Sequence, residues 1–97
     1  RHSRVITNMT KDTSVATQLG RVIAVMLDGR ERTLRRIELE IYSRFGHGDT
    51  QAAISARLRE VAAYGYEKIT RTETINGKLV WFYRLTPFNS KDQVVAA

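Results

Sequence analysis

The feature that most constrains this fold is a change of hydrophobic period at Gly65. Before it, apolar residues recur three and four apart. After it, "YEKITRTET", "ING" and "KLVWFYRL" alternate as two β-strands around a glycine-containing turn. Helices followed by a hairpin make an α+β chain. Two registers compete for that hairpin. A two-residue loop of Asn76 and Gly77 puts Ile69 on one face with Phe82 and Arg84, while Trp81 and Tyr83 oppose threonines. A three-residue "ING" loop, with Gly77 left-handed in a bulge, sets Ile69 opposite Tyr83 and Arg71 opposite Trp81. The second is expected, because it gathers Ile69, Trp81, Tyr83 and Leu85 on one buried face and leaves Phe82 as the exposed aromatic.

Thr13 or Ser14 is predicted to cap a first helix through "VATQLGRVIAVMLDG", with Leu19, Val22, Ile23 and Met26 on one stripe and Gly29 as terminator. Thr33 then caps "LRRIELEIYSRF", striped by Leu34, Ile37, Ile41 and Phe45. After the turn "GHGD", Asp49 is predicted to cap a third helix that continues past Val61 and ends at Gly65. Residues 1–13 read as a flexible arm, residues 14–87 as one folded domain, and residues 88–97 as a tail after Pro87.

The 97 residues include no cysteine and only two histidines, so the expectation is one small domain held by hydrophobic burial, with no metal or cofactor. The longest apolar run, "VIAVML", is far short of the roughly 18 residues of a membrane span, and a soluble cytoplasmic protein is expected. A net charge of +6 biases the chain toward a polyanionic partner through counterion release.

Two helices joined by a tight turn and followed by a basic hairpin resemble the winged helix-turn-helix superfamily of DNA-binding domains. The segments that carry the resemblance are "TLRRIELEI", "TQAAISARLREVAAYGY" and "TRTETINGKLVWFYRLT". "TQAAISARLREV" is similar to the recognition helices of small bacterial and phage regulators, and "WFYRLT" to their last wing strand. The resemblance implies sequence-specific binding of double-stranded DNA, with the third helix in the major groove and the hairpin, as a wing, on the backbone. It implies transcriptional or replication control by occupancy. A homodimer is among the expectations, since one small module rarely supplies enough specificity. The alternatives are a winged helix used for protein interaction, or an accessory domain of a larger phage or bacterial assembly.

Projecting the third helix places Ile54, Leu58 and Val61 on the core face and Gln51, Ser55 and Arg59 at roughly 60°, 100° and 140° on one flank. Gln pairs with adenine, Arg with guanine, and Ser with phosphate or a base edge. Thr50 can donate to a phosphate beside the first turn. Small Ala52 and Ala56 leave room for a groove wall. Arg35 and Arg36, at the positive end of the second helix, oppose its dipole, which points to phosphate contact. In the hairpin, Arg71 and Lys78 with neighbouring threonines suit phosphate contact as well. Each of these residues has a plainer role open to it as a solvated surface group. Arg57 lies at the core border, where it snorkels, pairs with a carboxylate of the second helix, or touches DNA. Glu38 and Glu40 point to different helix faces, and no serine elbow, P-loop or dinucleotide motif is present, so the chain is not expected to be an enzyme.

Overall fold

The computed structural model describes residues 14–87. The arm of residues 1–13, with Thr13 and His2, and the tail of residues 88–97 lie outside the described residues. Three helices, α1 (Gln18–Met26), α2 (Leu34–Phe45) and α3 (Gln51–Leu58), are followed by a 3₁₀ turn (Val61–Tyr64) and two antiparallel strands, β1 (Tyr66–Ile75) and β2 (Lys78–Pro87). The described residues are therefore α+β, three helices and then a hairpin, in the expected order.

α1 is the hub. It packs on α2, on α3 and on β2, so its buried set widens from the expected stripe to include Val25 and even Arg21. Around it close Ile37 and Ile41 of α2, Ile54 and Leu58 of α3, Val61, and Leu85 of β2. The link between α1 and α2 is tied to the hairpin through Arg32, whose backbone exchanges two hydrogen bonds of 2.8 Å with Tyr83. The Arg32 guanidinium also donates to both carboxylate oxygens of Asp28 and to Glu40, at 2.8, 2.8 and 3.1 Å.

Thr33 caps α2 as the sequence indicates, its hydroxyl accepting from the Arg36 N–H at 3.1 Å, and Gly46 closes the helix in the left-handed conformation. The other two caps differ from expectation. α1 begins after Thr17, whose hydroxyl accepts from the Gly20 N–H at 3.0 Å. Ser14 lies a turn earlier because the buried Arg21 draws the carbonyls of Val15 and Ala16 toward its guanidinium, at 3.0 and 3.3 Å, and so out of helical register. α3 is capped by Thr50, accepting from the Ala53 N–H at 3.2 Å, because the same Arg21 has claimed Asp49. α3 also stops at Leu58 and does not run on past Val61. The Arg59 N–H is shared between the carbonyls of Ser55 and Ala56, and the tightened 3₁₀ turn that follows brings Val61 into the core.

The hairpin takes the two-residue loop, which corrects the expected register. Asn76 and Gly77 both have positive φ, 52° and 78°, the arrangement whose twist matches that of paired strands. Ile75 faces Lys78, Thr72 faces Trp81, Thr70 faces Tyr83 and Ile69 faces Arg84. Turn geometry prevailed because there was little burial to gain at the tip. Each strand has ten residues, about 33 Å of extended chain, against about 18 Å for the twelve-residue α2, so the outer half of the hairpin overhangs the helices. Trp81, expected in the core, is 49% exposed, and Phe82, expected outside, is half-buried beneath the Arg71 guanidinium 4.6 Å from its ring centre. A Cβ at Gly77 would meet nothing within 4 Å, so Gly77→Ala tests the backbone alone. It is expected to cost about 1–2 kcal/mol in urea unfolding, the penalty of a side chain in the left-handed region.

Candidate nucleic-acid interface

The geometry of α3 starts one helix away. Arg21 of α1, 5% exposed, donates from Nε and Nη2 to the two carboxylate oxygens of Asp49 at 2.8 and 3.1 Å, and Gln18 adds a third donor at 3.1 Å. The Arg21 hydrogen bond holds the Asp49 carboxyl below its usual pKa, outweighing burial, which acts the other way. Asp49 in turn raises the pKa of Arg21. The negative charge just before α3 is thus neutralised inside the protein. The helix begins on a neutral threonine with no acidic residue of its own in its first turn.

On α3 itself, Gln51, Ser55 and Arg59 share the expected flank. Arg59 is the residue that terminates the helix, and its Nη1 lies 3.5 Å from the Ser55 hydroxyl. Gln51 donates from Nε2 to Glu38 of α2 at 3.0 Å, so one half of its amide is engaged and its carbonyl oxygen remains an acceptor. Thr50 is exposed but spends its oxygen on the cap. Arg57 pairs with Glu60 at 3.2 Å, and not with a carboxylate of α2.

The two arginines at the start of α2 separate in role. Arg36 donates to Glu40 at 2.8 Å, joining Arg32 and Arg44 around that carboxylate. Burial pushes Glu40 up, yet the hydrogen bonds from Arg32 and Arg36 prevail and its pKa is lowered. Arg35 is exposed and, among the described residues, makes no ion pair, as is true of Lys78 and Arg59. Arg71, by contrast, is bound at 2.8 Å by both carboxylate oxygens of Glu31 and by Glu73. Two carboxylates balance its charge, so a phosphate gains little there. Arg71 and Lys78 also share the hairpin face that carries Phe82, opposite the face of Trp81.

The structure therefore joins some of the expected residues and divides others. Arg35 and Gln51 line one groove, of about 260 Å³, together with Thr33, Leu34, Leu79, Trp81 and Tyr83. Leu79 is the member that sequence reasoning missed, and Trp81 is one it read chiefly as core, with base stacking as the other reading. The signal was strand length, since ten-residue strands outrun the helices that could cover them.

Neither protein-family models, nor curated proteins, nor solved structures yield a match to this chain. Among the described residues no three histidine, cysteine or carboxylate side chains are grouped to hold a metal ion, and no helix is long and apolar enough to cross a membrane.

Proposed function

We propose that residues 14–87 form a winged helix-turn-helix domain that binds double-stranded DNA sequence-specifically, as a transcriptional or replication regulator acting by occupancy and without catalysis. The observation that carries it is α3, neutral at its capped end and presenting Gln51, Ser55 and Arg59 on one flank beside the unpaired Arg35. In this reading α3 enters the major groove, the hairpin is the wing, and a homodimer provides the second half-site. The net charge of +6 supports it through long-range attraction to phosphate.

Selection of duplexes from a random pool, followed by titration at rising salt, tests the proposal. The logarithm of the affinity is expected to fall linearly with that of salt, by about 0.9 per phosphate contacted. Arg59→Ala is expected to cost about 1–3 kcal/mol and relax preference at one base pair, and Lys78→Ala to weaken all sequences alike and lower the slope by about one. Arg71→Gln removes the cation that balances Glu31 and Glu73, so a modest weakening shared by all sequences is expected there, with the salt slope unchanged. Absence of binding to any duplex at low salt would sink the proposal. A protein-interaction module within a larger assembly is favoured by one observation, the exposed Leu39 and Tyr42 on the outer side of α2. Its signature is a protein partner held with little dependence on salt.

A further inference from the structure

The overhanging hairpin exposes an unusual face. Thr70 and Tyr83, Thr72 and Trp81, and Thr74 and Leu79 are directly opposed, so the face runs from the half-buried Tyr83 outward through Trp81 to Leu79, which is 61% exposed. The groove beside it is lined by Leu79, Trp81 and Tyr83 from the hairpin and by Gln51 from the start of α3, with Arg35 of α2 as the one charged residue among those lining it. An apolar flat wall, one amide and one unpaired cation match a planar aromatic ligand that carries a negative charge. At about 260 Å³ the groove lies below the roughly 300–1,000 Å³ typical of small-molecule pockets, which favours a single planar group over a larger metabolite.

We propose that this groove holds one unpaired base of a nucleic acid, stacked on Trp81 with the Gln51 carbonyl oxygen at its edge and its phosphate at Arg35. The domain would then prefer a duplex that ends in a single-stranded extension over a closed duplex. The proposal rests on the DNA-binding reading and adds the form of DNA recognised. A paired base has both faces covered by its neighbours, and exposing it to Trp81 costs unstacking energy. An unpaired base presents its face at the least cost. Stacking on an aromatic side chain is tolerant of sequence, so this contact would select structure while Ser55 and Arg59 of α3 select sequence.

Trp81 is the sole tryptophan of the chain, so its fluorescence reports on the groove directly. The experiment titrates the full chain with a blunt duplex and with the same duplex bearing a short oligothymidine extension. The extension is expected to tighten binding on the order of tenfold to a hundredfold and to quench Trp81, as one stacked base would. Trp81→Ala should lose that gain, weakening the extended duplex far more than the blunt one with an unchanged circular dichroism spectrum, and Trp81→Phe should keep most of the gain. Equal affinity for both duplexes with unmoved emission overturns the junction preference while leaving DNA binding standing. Equal weakening of both duplexes by Trp81→Ala also overturns it. Emission that shifts with protein concentration alone assigns the groove to a second copy and overturns it too. If neither duplex binds, the DNA-binding reading fails and this proposal fails with it.

Discussion

Arg21→Met is expected to destabilise the domain by about 3–5 kcal/mol, a large share of the roughly 5–15 kcal/mol that holds a small domain together. The methionine leaves the Asp49 carboxylate, 7% exposed, with Gln18 as its remaining side-chain donor. Most of the loss is the cost of a buried charge without its counter-charge, so replacing both partners should recover much of it. In the double variant Arg21→Met, Asp49→Leu the carbonyls of Val15 and Ala16 lose a donor as well, but both residues are exposed and water can replace it. Urea unfolding of the two single variants and the double variant gives the coupling directly. A double variant as weak as the sum of the singles would contradict this account. The acid limb follows with a definite sign. Asp49 titrates lower in the folded chain than the unfolded value of about 3.9, so its stabilisation is complete above that value and is lost as pH falls through the folded pKa. Asp28, Glu31 and Glu40 shift the same way, so Asp49→Asn should make the loss of stability below about pH 4 shallower without abolishing it.

Ile54→Ala should cost about 2–5 kcal/mol, against about 0.5–1.5 kcal/mol for Ile54→Val. α3 has eight residues, well below the roughly 12–15 at which an isolated helix becomes marginal in water, and only Ile54 and Leu58 of its residues are buried. Its position is therefore set by two side chains and by the ion pair before its cap. Hydrogen exchange is expected to show the α3 amides opening more readily in Ile54→Ala than those of α1. Binding to a duplex should fall more than in a surface variant of equal charge, because Gln51, Ser55 and Arg59 would lose their common orientation. Retention of full affinity alongside a large loss of stability would separate α3 from the proposed interface.

How far the sequence carries depends on the range of the interaction involved. The α2 cap at Thr33, the stripe of Ile37 and Ile41 and the glycine stop at Gly46 are settled within a turn or two of chain, and they appear as the pattern indicates. The flank of Gln51, Ser55 and Arg59 was legible for the same reason, since it follows from helical period alone. The hairpin's existence was equally local, but its register balanced two local signals of opposite sense. The Asn76-Gly77 turn prevailed over the gathering of apolar side chains, because burial there depends on whether helices reach the hairpin tip.

What only the tertiary structure decided are the contacts between residues far apart in the chain. Asp49 has the composition of a helix cap, and nothing near it in sequence announces that Arg21, 28 positions earlier, will take its carboxylate into the interior. The same holds for Arg71, neutralised by Glu31 across 40 positions, and for Arg35 and Trp81, which meet in one groove because α2 and the hairpin pack side by side. Charge, period and turn chemistry are properties of short stretches and survive in the sequence alone. Which cation is spent inside the fold and which is left for a partner depends on packing, and packing exists only once the chain has closed on itself.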